Sequence, residues 1–484
     1  MVETRSNRPG RRGAGADRCR RGAPLTPTLD PMRVAPWRNC SRAIARRAAG
    51  HWHAPAGAAK MRPALVRWRL GMRTPHDPIL ALTRADVADE ARAAPATVRP
   101  LADARWIRGP AWDLVWVLNA LWLAPLLLLL ARGHDDLRTS PVDGLFFLLA
   151  VPLWFGHRVS SAWLAYATPA YHPLLATQRL RFVVAPIAIA VACFAVLLAP
   201  ERLLPVPLLE RVVWLTVLDY LLVSYHFAAQ HFGLLSLYRA RAGRAADADT
   251  RKLDRWFALV VGGGFVVVAE GLTGSIAVQE RWIEPLLGSL GSDQLARALH
   301  DGGIAIVVVL TALMLRAELR AQRPSLPRVA YILSVSTMVL FAYLARDPFL
   351  FIVLWSVQHW SAAMGLTSLA ASGGQQEPGT RWQRLLAPIN RRGWAVLLVL
   401  AVVSVLLLPV LEVEAVTDEY VYADRIFGDV AWWLRSSPLV PVLLALGFAT
   451  GFIHYQLDRA AFRFSSPEVR QAGRGLLQAR PVRP

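Results

Sequence analysis

Five histidines interrupt the apolar runs of this chain: His157, His226, His231, His359 and His454. Imidazole is the commonest protein ligand for iron, copper and zinc, and its unperturbed proton equilibrium lies nearest neutrality. An ionisable group inside a membrane helix is costly, so each of these residues is a functional-site candidate by default. The other six histidines lie elsewhere. His51, His53 and His76 precede the first apolar run, while His134, His172 and His300 fall in or beside connecting segments.

Depth orders the five. At ~1.5 Å rise per residue, His157, His226 and His359 each lie roughly 16–18 Å from the cytoplasmic end of their expected helix, near the bilayer midplane. His231 is about one and a half turns deeper towards the cytoplasm, and His454 is expected lower still. His226 and His231, five residues apart, are roughly 140° apart around the helix, whereas His226 shares its face with Gln230. The candidate metal ligands are thus His157, His226, His231, His359 and His454. Neutral imidazoles suit iron, copper or zinc, and scarce midplane carboxylates argue against magnesium or calcium.

A ligating histidine normally gives its second N–H to an acceptor nearby. Gln230, Gln358 and Asp458 are the candidate polar partners, with a catalytic or orienting role, and Tyr225 and Tyr455 lie alongside. Asp458 follows His454 by four residues on one helical face, where it could orient that imidazole or pair with Arg459 or Arg463. Arg158 follows His157 within WFGHRVSSAWLAY and is the candidate substrate-binding residue, for an acid or a headgroup. In the alternative, the helix ends early, residues 159–170 lie along the interface and His157 leaves the midplane. Any single membrane histidine is most often a helix–helix hydrogen-bond partner. Five on co-directional helices, three matched in depth, shift the balance towards a shared site.

The elements that carry them are membrane helices. More than half the residues are hydrophobic (55%) and 18% are charged, with mean hydropathy +0.35; soluble domains carry about 25% charge. Apolar runs of about 20 residues recur, while the alternation of a membrane β-barrel is missing. The expected fold is all-α: a polytopic transmembrane bundle of about ten helices. The runs are 112–131, 142–168, 182–199, 212–238, 256–275, 302–318, 327–345, 347–371, 393–412 and 437–456. Segments after even-numbered helices are basic, as in RARAGRAADADTRKLDR (239–255), while EVEAVTDEYVYADRIFGDVAWW (412–433) is acidic. Positive-inside bias then places both termini in the cytoplasm and the protein in the cell inner membrane. Trp112, Trp256, Trp394, Trp432 and Trp433 sit near span ends as interface anchors, and Gly262, Gly263 and Gly264 permit close helix packing.

The net charge of +20 does not point to nucleic acid. Residues 1–73 hold sixteen Arg and one Lys against three acids, in an Arg-, Pro-, Gly- and Ala-rich stretch without helical or strand period. That stretch reads as a disordered extension, a transit segment, or coding upstream of a true start at Met61 or Met72. Residues 74–111 form a juxtamembrane segment, 112–456 the membrane domain and 457–484 a basic tail, with Ser466 a plausible N-cap ahead of Pro467. Cys19, Cys40 and Cys193 make no CxxC, CxxCH or zinc spacing, which removes thiolate-metal chemistry.

GHRVSSAWLAY, YHFAAQHFGLLSLY, WSVQHW and HYQLDRAAFRFSSPEVR resemble segments of bacterial multi-pass membrane proteins without an assigned activity. At the level of class, histidines gathered from several membrane helices are similar to membrane non-haem iron oxygenases and desaturases. The HxxxH and HxxHH boxes of desaturases are missing here. A four-histidine mononuclear iron site, as inferred for bacterial carotenoid-cleaving membrane oxygenases, matches the count better. That similarity implies an iron-dependent oxidoreductase acting on a lipid-soluble substrate with an electron donor, a b-type haem between two imidazoles being a variant. A proton- or cation-coupled transporter using the same histidines as a relay, or a structural membrane protein, are the alternatives.

Overall fold

A computed structural model describes residues 106–134, 140–244, 247–265, 283–321, 324–345, 348–373, 380–412 and 422–477. Among the described residues every regular element is helical. The order begins with α1 (Pro110–Trp116), α2 (Ala120–Ala131) and α3 (Pro141–Ala162), which continues as a π turn at Trp163–Ala167. Then come α4 (His172–Thr177), α5 (Ala185–Leu198), α6 (Leu208–Arg241) and α7 (Ala248–Phe257), the last running into a π turn at Ala258–Gly262. The second half comprises α8 (Glu284–Leu319), α9 (Leu326–Ala345), α10 (Pro348–Gly373), α11 (Arg381–Asn390) and α12 (Gly393–Leu411). It closes with α13 (Ala423–Phe427), α14 (Asp429–Ser436), α15 (Val440–Ala461), α16 (Pro467–Ala472) and α17 (Arg474–Leu477).

Six single stretches are long and apolar enough to cross a bilayer: Pro141–Ala167, Leu180–Leu198, Leu208–Arg241, Gly291–Leu319, Gly393–Leu411 and Val440–Ala461. A seventh is the pair α1 and α2, bent by 53°. This is a multi-pass helical membrane protein. The expected run at 112–131 is thus a bent helix pair rather than one straight helix, and the second half of the run at 256–275 lies outside the described residues. So do the extension 1–73 and most of 74–111.

Helix α10 is enclosed along most of its length. From Val353 to Ala371 every residue is buried except the half-buried Ser356. The helix is wrapped by protein instead of lipid, so it can carry Ser361, Thr367, Ser368, Gln358 and His359 where a lipid-facing helix could not. Helices α3, α9 and α12 pack against it. The α1 turn also comes close, because a Cβ at Gly365 would stand 2.9 Å from Trp116 Cβ.

Helix α3 starts with Pro141 behind the N-cap Ser140, whose hydroxyl accepts from Val142 N–H at 3.1 Å. One turn before His157 it is held by α12. Ser404 Oγ accepts from Phe155 N–H (3.1 Å) and donates to the Val151 carbonyl (2.6 Å). The hydroxyl is wedged at the backbone of a turn that already contains Pro152, which cannot donate. A Cβ at Gly156 would lie 2.9 Å from the Leu400 carbonyl, so this crossing needs glycine for closeness. Helix α15 packs on α5, α6 and α3 and completes the ring of helices around the histidines.

Beyond the last turn of α6, charges are buried in pairs. Arg328 contacts Asp254 (2.5 Å) and Glu318 (2.9 Å), Arg244 reaches Glu318 (2.5 Å), and Arg239 pairs with Asp254. Such pairs tolerate burial because each charge meets its opposite. The chain end folds back: Val469 and Leu476 are buried in the main core, and the Leu476 carbonyl accepts from Arg241 (3.4 Å). Ser466 precedes α16 as expected, yet makes no cap to its backbone; its hydroxyl donates to Glu468 instead.

Candidate metal centre and its cavity

Four imidazoles from four helices meet edge to face. His157 of α3, His226 of α6, His359 of α10 and His454 of α15 have ring-centroid separations of 5.2 Å (157–359), 4.8 Å (359–226), 4.8 Å (226–454) and 4.7 Å (454–157). These distances close a four-membered ring whose printed diagonal, His359–His454, is 6.3 Å. All four side chains are buried. One ring nitrogen each from His157, His359 and His454 lies within 4.8 Å of those of the other two.

The partners of the opposite nitrogens fix which atoms face inward. Gln230 Nε2 donates to the His359 carbonyl (3.3 Å), which can only accept, so Gln230 Oε1 is the atom at His359 Nδ1. Nδ1 therefore carries the proton and His359 Nε2 a lone pair. His157 Nδ1 donates in the same way to the Trp154 carbonyl. His454 Nδ1 lies 3.0 Å from Ser161 Oγ, whose own proton is directed at the Arg158 carbonyl (3.4 Å). His454 Nε2 is buried without a hydrogen-bond partner. His157 and His359 are thus held by Nδ1–H with Nε2 left to bind, the arrangement of ligating histidines, and His454 matches them when Ser161 gives its proton to the Arg158 carbonyl.

His226 supplies the fourth position. Its Nε2 stands 3.2 Å from His359 Nε2 and 3.9 Å from Asp458 Oδ2. Because His359 Nε2 has no proton, the contact is completed either by a proton on His226 or by a cation bound to both. Two nitrogens at ~2.0–2.1 Å from one ion are roughly 2.9–3.4 Å apart when neighbours, and 3.2 Å falls inside that interval. The spacing among the other three reaches 4.8 Å, about 1.4 Å beyond the roughly 3.4 Å of neighbouring ligands, so those rings would move together to bind one ion. The donor set fits a borderline transition ion.

The remaining sequence candidates divide. Asp458 reaches His226 rather than orienting His454. Gln230 grips His359, although it lies on the helix of His226. Gln358 points away, donating to the Val117 carbonyl at the α1–α2 junction (3.1 Å). His231 stays apart from the four-ring cluster, with Nδ1 2.6 Å from Tyr331 Oη and its ring against Gly262, where a Cβ would come within 2.6 Å. His454, expected lowest, joins the ring because α15 extends to Ala461, which raises His454 relative to the helix end.

Beside His157 lies a cavity of about 220 Å3. Its lining from α6 and α10, such as Thr216, Asp219, Ile352 and Ser356, precedes the cluster histidine of each helix, so the cavity sits on the N-terminal side of the histidine ring. Arg158 and Asp219 form its polar wall, and both lie within 4 Å of where a Gly451 Cβ would be. Arg158 also donates to the Gly447 carbonyl (3.4 Å) and rests over Phe155, while Tyr455 donates to Asp219 (3.1 Å). Helix α3 continues unbroken past Arg158 to Ala162, so His157 stays within the span.

Asp219, Ser161 and Tyr331 escaped the sequence reading. Asp219 carried a usable signal, as the one acid in the run 212–238. Ser161 and Tyr331 carried none, being ordinary residues whose partners come from other helices. No family model, curated protein or solved structure matches the chain, so the geometry of the site alone carries the functional reading.

Proposed function

We propose that the chain is a membrane metalloenzyme, an iron-dependent oxidoreductase whose substrate reaches the site from the bilayer. His157, His359 and His454, joined by His226, would hold the ion. The observation that carries this is the grouping of the rings: the Nδ1 atoms of His157 and His359 meet acceptors, and one ring nitrogen from each of His157, His359 and His454 gathers at one place. His454 Nε2, buried without a hydrogen-bond partner, sits among the other three rings, whereas His231 Nε2, equally unpartnered, lies apart from them.

A bound transition ion supplies Lewis-acid or one-electron chemistry in a site shielded from water. The protein's part is positional. Gln230 and Ser161 hold the imidazole tautomers, Ser404 fixes the turn that presents His157, and Asp458 places a carboxylate next to His226. The four rings contact one another edge to face, which suits a single bare ion among them. The electron donor and the inner-membrane setting belong to the same proposal.

Metal analysis of the full chain purified in detergent tests it. One ion per chain, lost in His359→Ala and His454→Ala but kept in His231→Ala, is the expected result. A folded protein free of metal, or one losing it equally in His231→Ala, would overturn the assignment.

A further inference from the structure

We infer that the cavity beside His157 receives the ring head of a membrane lipid, a flat oxygen-bearing ring of quinone or phenol type whose tail stays in the bilayer. This names a ligand class for the site proposed above and rests on that reading only for its chemical consequence.

Size comes first. About 220 Å3 is below the roughly 300–1,000 Å3 that encloses a whole drug-sized molecule, so the cavity takes a part of its ligand. A single six-membered ring with small substituents is of that order, and a whole lipid is not. The rest must leave through an opening. Tyr220 of α6 and Ile352 of α10 line the cavity and are also exposed, so the cavity reaches the outer surface of the bundle beside the apolar span of α6.

Shape comes second. Phe146 and Trp360 are stacked at 13° and Trp154 and Trp360 at 16°, while His157 lies at 28° to Trp360. These four rings all line the cavity and present nearly parallel faces. A flat π system gains about 0.5–1.5 kcal/mol from such a face beyond area burial, an advantage a saturated acyl chain lacks.

Polarity comes third. Arg158 and Asp219, with Thr216 and Ser356, set donors and acceptors beside the aromatic faces. Tyr455 donates to Asp219. A simple carboxylate would meet Asp219 as a like charge. A ring oxygen accepts from Arg158, and a ring hydroxyl donates to Asp219, without adding a charge.

The test is binding of a decyl-substituted benzoquinone to the full chain in nanodiscs of neutral phospholipid, with palmitate as the saturated comparison. Val223→Trp fills the cavity from the α6 wall without touching the four histidines, and Arg158→Gln removes the donor. Saturable quinone binding, weakened about tenfold or more by each variant and not matched by palmitate, is expected, with metal content unchanged in Val223→Trp. Equal quinone binding by wild type and Val223→Trp, or tighter binding of palmitate, overturns the inference. Plug-sensitive quinone binding by a protein that holds no metal would sustain the cavity assignment and sink the metalloenzyme; a metal-loaded protein indifferent to quinone would do the reverse.

Discussion

Gln230→Leu isolates the orienting role from ligation itself. Gln230 touches no inward-facing nitrogen, and both its contacts are to His359, one to Nδ1 and one to the carbonyl. Leucine keeps similar bulk and the helix, and removes the acceptor. In the metal-loaded protein Nε2 is bound, so Nδ1 must carry its proton and is left buried without a partner. An unsatisfied buried donor costs about 1–3 kcal/mol. Without metal the ring can exchange tautomers and turn its proton towards His226 Nε2, 3.2 Å away, which relieves part of that penalty. The difference between the two states weakens binding by about 10–100-fold, the usual effect of removing a partner of a ligating histidine. Competition against a chelator of known affinity measures it, with helicity and elution volume confirming the fold. Gln230→Glu retains an acceptor at Nδ1 and should bind within a few-fold of wild type. Folded Gln230→Leu with wild-type affinity would refute the tautomer argument.

The other expectations follow the same contacts. Ser161→Ala removes the partner of His454 Nδ1 and should lower metal affinity about tenfold, with little change in the thermal midpoint; an unchanged affinity speaks against His454 as a ligand. Gly262→Ala forces a Cβ to within 2.6 Å of the His231 ring and should destabilise the fold by about 1–3 kcal/mol. Metal per folded chain should stay constant in that variant, because His231 lies outside the ring of four; its loss would place His231 in the site. Outside the membrane, hydrogen bonds from the Thr250 backbone and hydroxyl hold the Asp247 carboxyl below its ordinary value at the start of α7. The unfolded carboxyl binds its proton more readily, so this cap stabilises α7 above about pH 4 and loses its effect as pH falls through the lower folded value. Amide exchange in α7 should therefore accelerate at acid pH in wild type and be insensitive to that range in Asp247→Ala.

Much of the architecture was legible in the sequence because the bilayer imposes a length. Single apolar helices lie where the runs 142–168, 182–199, 212–238, 302–318, 393–412 and 437–456 place them. The bend between α1 and α2 was not, since residues 117–119 between them carry neither glycine nor proline. Its polar anchor comes from afar: Asn119 donates to Ser361 of α10 at 2.6 Å. The histidines were singled out by type and expected depth, and His157, His226 and His359, placed at one level, gather with His454 in one buried cluster. His454 was misplaced by the position of a helix end, an error of a few residues that shifts depth by a turn. Gln358 was chosen by adjacency to His359, but neighbours in a helix point about 100° apart, and it serves the α1–α2 junction instead. Ligand orientation was beyond reach, because Ser161, Ser404 and Trp154 act through contacts between helices or through backbone atoms that no spacing rule encodes.

X-ray absorption at the metal edge of the purified full chain tests the central claim most directly. The account predicts a shell of three or four nitrogen ligands at about 2.0–2.1 Å, with the outer scattering of imidazole rings and no sulfur at ~2.3 Å. Its imidazole signal should fall by one ring in His226→Ala. A metal-free protein, or a sulfur- or oxygen-dominated shell unaltered by that substitution, would contradict a centre built from His157, His226, His359 and His454.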